Sequence, residues 1–175
     1  MSLYNQRMNN QLMGHCLTLS ADILTKDTDS FFPNIIGYWN HILFGDLILL
    51  GRLAANNIGS LSPLDFSEFP KPISPQDIYH TNLLDIALLR TQIDVLIIRY
   101  CKNLTENDCN RFITYTTTEG DVISKAVADI TQHIFNHQTH HRGQLTCLMS
   151  QAGVDYGCMD LPVIVTEGSR ISPHL

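Results

Sequence analysis

The chain has no cluster of lysines and arginines, no CxxC pair and no apolar run long enough to cross a membrane. Each absence removes a class of function. Only 11 Lys and Arg stand against 17 Asp and Glu, a net charge of −6, whereas a nucleic-acid surface needs a clustered basic patch. The N-terminus MSLYNQRMNN lacks the apolar core of a signal peptide. The longest apolar segments, residues 42–50 and 95–98, fall short of a bilayer span and carry Asp46 and Asp94 within or beside them. Five cysteines (Cys16, Cys101, Cys109, Cys147 and Cys158) are odd in number and lack metal spacing, which argues for reduced thiols and against a zinc–thiolate site. Repeats and low-complexity segments are missing as well. These absences predict a soluble, cytoplasmic protein with no nucleic-acid or membrane partner.

What is present is helical. With 175 residues, 44% hydrophobic and 16% charged, the chain can bury a substantial core as one domain over residues 1–175. Leu12, Cys16, Leu19 and Ile23 recur at helical spacing and predict a first helix over residues 3–24. Asp27, Thr28, Asp29 and Ser30 break it. Pro33 then pre-sets a second helix running to about residue 56, with Ser30 or Asn34 as its cap. Four of the seven prolines fall in residues 59–75, a long crossover loop. A third helix is expected from about Pro75 to Asn103. Phe, Ile, Tyr and Thr then alternate around a Glu119-Gly120 turn, predicting a short β-hairpin over residues 112–123. Ser124 is placed as the cap of a fourth helix that stops at Gly153, and the tail over residues 154–175 reads as irregular. The fold class is therefore all-α, a four-helix bundle with a long crossover and a short hairpin before helix four.

The fourth helix carries the chemistry. His133, His137 and His141 lie four residues apart and share one face, continued by Gln144 and Leu148. His140 sits at the edge of that row, and Arg142 points away from it. Histidine is a mediocre helix former, and neutral imidazoles at i, i+4 can bind one metal ion. An isolated HxxxH is more often a polar face or a set of satisfied core histidines. His41 alters that balance. It is embedded in the apolar stretch YWNHILFGD of the second helix, where a polar group needs a partner, and with the row it makes a three-histidine site the economical explanation. Asp46 reads as solvent-facing or as orienting a neighbour. His15, His80 and His174 have no constellation around them and read as solvent-facing.

The segments FFPNIIGYWNHILFGD, FITYTTTEGDVISKAV and HIFNHQTHHRGQLTCLMSQAG, the last followed by Asp160-Leu161, resemble the DinB (damage-inducible) family of four-helix-bundle proteins. The likeness covers residues 3–165. It implies a divalent ion held by one histidine on helix two and an HxxxH pair on helix four, which here are His41, His137 and His141. His133, one turn before His137, is left as a supporting group or an alternative ligand, His140 as a surface or supporting residue, and Gln144 as placed to hydrogen-bond a water or an imidazole. Arg142 and Gly143 belong to the same motif and read as structural, a salt bridge and a close helix contact. The ion is Zn, Ni or Fe.

Three nitrogen ligands leave a coordination position open. With related bundles including thiol S-transferases, the expected function is a metal-dependent thiol S-transferase or hydrolase acting on a small thiol or another small molecule. Position 138 is Gln, so the zincin motif HExxH is absent, and no Ser-His-Asp or Cys-His signature stands out. One alternative is a non-enzymatic, damage-inducible protein whose metal only staples the helices. Another is an interaction module whose histidines are core polar groups. Apolar strips on helices one and three allow a homodimer.

Overall fold

The computed structural model describes residues 1–161. Four long helices, α1 (Ser2–Cys16), α3 (Ile35–Ala54), α4 (Leu83–Asn103) and α6 (Val127–Gln151), form the bundle. Short elements punctuate them: α2 (Ala21–Thr25), a 3-10 turn at Pro63–Phe66, α5 (Glu106–Cys109), and the strands β1 (Phe112–Thr116) and β2 (Val122–Ala126). Neighbours around the bundle are α1–α4, α4–α3, α3–α6 and α6–α1. The helix carrying His41 and the helix carrying the histidine row are thus in direct contact.

Nearly every residue of α3 is buried, so it is apolar almost all round rather than amphipathic. The Asn34 side chain caps it, accepting from Gly37 N at 2.9 Å. Trp39, Leu43, Leu50 and Leu53 are fully enclosed and join Leu12, Ile93, Ile97, Ile134 and Leu145 in one core. Each such side chain contributes about 1.5–3 kcal/mol by burial.

The first helix is shorter than its periodicity predicts. The Thr18 hydroxyl and amide both bond the His15 carbonyl, at 2.8 and 3.1 Å, occupying the acceptor that a continuing helix would use at residue 19. The chain turns, and the expected stretch over residues 3–24 becomes α1 and α2. The third helix begins at Leu83, not near Pro75, capped by Asn82. The stretch before it is tied to α3 instead: Asn40 Oδ1 accepts from the amides of Tyr79 and His80, and its Nδ2 donates to the His80 carbonyl. These tertiary bonds outweigh local helix propensity.

The hairpin pairs Phe112 with Ala126 and Thr116 with Val122, reaching three residues beyond the expected end at 123. Ser124 is therefore a strand residue opposite Thr114 and caps nothing; α6 starts at Val127, whose amide donates to the Arg111 carbonyl at 2.9 Å. After α4 comes the one-turn helix α5, closed by a capping box between Thr105 and Asp108. Gly153, at φ +77°, supplies the left-handed residue that ends α6, with Val154 N donating back to the Met149 carbonyl. The following segment folds onto α1, where Gln11 donates to the Tyr156 carbonyl and Tyr4 to that of Met159. The expectations for residues 162–175, including His174, lie outside the described residues. Among the described residues no helix is long and apolar enough to cross a membrane.

Candidate metal centre

Below the histidines, the middle of the bundle is crossed by a closed ring of buried polar groups contributed by all four long helices. Asp46 of α3 accepts from Arg90 of α4 and from Gln138 Nε2 of α6, the latter at 2.8 and 2.9 Å. Arg90 Nη2 pairs with Asp94 one turn on, at 3.1 Å. Asn9 of α1 donates to Asp94 and to Gln138 Oε1, both at 3.0 Å, which closes the ring. Arg142 adds a second guanidinium, donating to Asn9, Asn5 and Gln138. Two carboxylates and two guanidinium groups balance in formal charge.

Burial pushes the Asp46 carboxyl upward against the pull of Arg90. Burial first, with Arg90 as a nearby like charge, lowers Arg142 to about 10, still charged at neutral pH. These bonds form together only when all four helices are in register, and the Nε atoms of Arg90 and Arg142 are left without a hydrogen-bond partner among the described residues. Asp46 therefore does not face solvent, and Arg142, although it points away from the histidine row, is buried against α1 with no carboxylate of the described residues in direct ion-pair contact. The sequence holds a faint signal for this ring: Asn5 with Asn9, Arg90 with Asp94 and Gln138 with Arg142 are polar pairs at i, i+4 on otherwise apolar helix faces.

One residue along on each helix, Gly45 precedes Asp46 and His137 precedes Gln138. There His41, His137 and His141 converge, one nitrogen from each lying within 4.8 Å of the others. His41 and His141 are each only 8% exposed, and His137 is half-buried. The orientation of two imidazoles is set from behind. His41 Nδ1 donates to the Pro75 carbonyl at 2.9 Å, and His141 Nδ1 donates to Gln144 Oε1 at 2.7 Å. A neutral imidazole with hydrogen on Nδ1 carries a lone pair on Nε2. Yet the Nε2 atoms of His41 and His141 face each other at 3.0 Å, and His137 Nε2 lies 3.2 Å from that of His41.

Two lone pairs so opposed repel unless a cation lies between them. Around a tetrahedral ion with bonds of about 2.0–2.1 Å, ligand nitrogens stand roughly 3.3 Å apart, so the donor set fits a borderline metal such as Zn, Ni or Fe. Among the described residues no fourth His, Cys, Asp or Glu joins the group.

Burial comes first among the causes that keep the three imidazoles uncharged. It lowers His137 to about 3, with His141 and His41 adding like-charge repulsion, and lowers His141 to about 4 with help from His41. His41 is lowered as well. Neutral imidazole is the form that ligates metal. Phe32 stacks on His41 with ring centroids 3.9 Å apart, and the Phe44 ring lies near-parallel to it at 5.9 Å. Gly45 leaves the space that the His137 ring fills: a Cβ there would lie 2.6 Å from Nδ1 and 3.0 Å from Nε2. Sequence reading missed Gly45, Pro75 and Asn40, because a glycine and a backbone carbonyl carry no chemical signature of their own.

The structure separates the other predicted residues from the convergent group. His133 is exposed, its ring centroid 5.7 Å from that of His137, and it lines a separate cavity of about 310 Å³ with Leu49, Tyr115 and Ile130. His140 is exposed and sets its ring against His141 at 4.7 Å. Gln144 touches the site through His141.

A curated relative, Protein DinB of Bacillus subtilis (strain 168), is 23% identical over 163 residues, covering 88% of each chain. No solved structure matches the chain. The model of the DinB family matches residues 1–167, nearly the whole length, and the chain belongs to the DinB family.

Proposed function

We propose that the protein binds one divalent transition metal through His41, His137 and His141 and uses the remaining coordination position as a metal-dependent thiol S-transferase or hydrolase. The observation that carries metal binding is the pair of Nε2 lone pairs 3.0 Å apart, each locked in place by a hydrogen bond on the far side of its ring. The open position follows from a donor set of three, since structural zinc sites close with four protein ligands. A metal bound there lowers the pKa of a coordinated water or thiol into the neutral range.

The protein's own residues do the rest. Pro75 and Gln144 hold two ligands in the right tautomer, Phe32 and Phe44 exclude water from His41, and the Asp46–Gln138 contact sets the spacing of α3 and α6. The substrate on this reading is a small thiol or another small molecule. The free cysteines suit a reducing cytoplasm.

A second reading, a non-enzymatic metal staple between α3 and α6, draws on the low exposure of His41 and His141. It carries the damage-inducible, non-catalytic role. Metal at 100 times its Kd would then contribute about 2.7 kcal/mol of stability.

Metal content of untagged protein, beside His41→Ala and His137→Ala, tests both. One equivalent in the parent and none in either variant supports the centre. Turnover of a thiol with an electrophile, or of an ester, lost with the metal, supports the enzyme; a large melting shift on chelation without turnover supports the staple. Absence of metal after supply of Zn, Ni and Fe defeats both.

We infer further that the protein pairs as a homodimer through α4. Leu84, Leu88 and Val95 fall within about 40° on one face of that helix, and they are 65%, 62% and 55% exposed.

A further inference from the structure

A cavity of about 630 Å³ lies away from the histidines. One wall is the C-terminal half of α3, another is β1, and the roof is the proline-rich loop over residues 63–72. Its body is apolar and aromatic, with Leu47 and Ile48 from α3, Phe66 and Phe69 from the loop, and Tyr115 from the hairpin. Its charged lining residues are Arg52 and Lys71, both cationic, and no carboxylate joins them among the described residues. In a chain with a net charge of −6, a cavity whose charges are all positive is against the average.

Arg52 is held for use. Its guanidinium carbon sits 4.1 Å from the centre of the Tyr115 ring, and Nη2 donates to the Thr116 carbonyl at 3.3 Å. No carboxylate of the described residues is in ion-pair contact with it; Glu119 acts on it only at longer range. The side chain is half-buried, so a desolvated cation faces an apolar space of the size that small ligands occupy, about 300–1,000 Å³. The roof is itself anchored, since Asp65 bonds the Ser62 amide at 2.8 Å and pairs with Arg99 of α4 at 2.6 Å. The cavity is therefore a formed feature of the fold.

We propose that this cavity is a binding site for a small carboxylate with an aromatic or branched-alkyl body. The body lies against Phe66, Phe69 and Ile48, and the carboxylate is taken by Arg52 and Lys71. None of the three histidines lines the cavity, so the site stands whether or not the metal centre is catalytic. The same loop reaches Pro75, the residue that orients His41, three positions beyond Pro72.

The probe is 8-anilinonaphthalene-1-sulfonate, an apolar anion that fluoresces when desolvated, titrated into the full-length protein. The proposal expects one equivalent bound, displaced by 4-phenylbutyrate and left in place by 4-phenylbutylamine, which shares the body but is a cation. Arg52→Gln and Lys71→Gln should each weaken the probe roughly two- to fivefold, as for a partly exposed ion pair. Gly51→Phe should abolish binding, because Gly51 lines the cavity and a Cβ there meets nothing within 4 Å. Metal content and melting temperature check that each variant is folded. Displacement by the amine as readily as by the acid, parental binding in the Arg52→Gln/Lys71→Gln double variant, or probe retained in Gly51→Phe would each overturn the assignment.

Discussion

Gly45 of α3 faces the imidazole of His137 on α6 so closely that no larger residue fits: a Cβ would stand 2.6 Å from Nδ1. The glycine lies one turn beyond His41 and directly before Asp46, so the candidate ligand, the space for the His137 ring and the anchor between the two helices are neighbouring features of one helix. Glycine in a helix interior costs about 0.5–1 kcal/mol relative to alanine, and here the His137 ring occupies the space released.

Gly45→Ala should therefore displace His137 and weaken metal binding roughly 10- to 100-fold, the effect of disturbing groups that orient a metal ligand. Gly51→Ala, two turns on with open space around it, should leave metal affinity unchanged and raise stability by about 0.5–1 kcal/mol. Competition titration against a metal-binding dye measures the first, and urea unfolding the second. Equal affinity in the two variants would refute the role given to Gly45.

Proton linkage sets the behaviour of the metal-free protein. Burial, then the neighbouring histidines, holds His137 at about 3 and His141 at about 4, below the ordinary value of about 6.5. Between those values the unfolded chain binds more protons than the folded one. Stability is intact above pH 6.5 and is lost as pH falls through the window from about 6.5 to about 4 for His141 and about 3 for His137. Thermal melts with chelator present should show the midpoint dropping from pH 7 to pH 5, with a shallower drop in His137→Gln. A midpoint rising toward pH 5 would contradict the burial of these rings.

Arg90 pairs with Asp46 and Asp94 in the interior, all three at most 1% exposed. Arg90→Met leaves two buried carboxylates without their cation and should cost about 3–5 kcal/mol. Urea denaturation measures this. Exchanging Arg90, Arg142, Asp46 and Asp94 together for apolar residues should cost less than the single change, because no charge is then stranded.

Leu88→Glu on the outward face of α4 should convert the inferred dimer to a monomer, read by sedimentation or light scattering. The stability of the monomer should shift by no more than about 0.5 kcal/mol, as for an exposed position. A parent that is monomeric at high concentration would remove this interface.

Local pattern reached far into the fold and stopped at identifiable places. The four-residue spacing of the histidines on α6, the Pro33-Asn34 start of α3, the breaker at Asp27 to Ser30 and the Glu119-Gly120 turn depend on residues close in the chain, and elements appear at each. The helix boundaries at Cys16 and Leu83 were not legible. The first turns on a single hydroxyl of Thr18 taking the His15 carbonyl, and the second on Asn40, a residue 39 positions before the Tyr79 amide it holds. Asp46 carries no local sign of burial, because an isolated charge on an apolar helix looks the same whether it meets solvent or a partner.

The sequence by itself determined that histidines four residues apart share a helix face and that another lies in an apolar helix, because helical geometry converts spacing into direction. Tertiary structure alone decided that His41 meets His141 across 100 residues of chain, which nitrogen of each ring points inward, and that His133 stays outside. Those outcomes depend on the register of α3 against α6. That register is set by the long-range contacts of Gly45 with His137 and Asp46 with Gln138, which no local periodicity encodes.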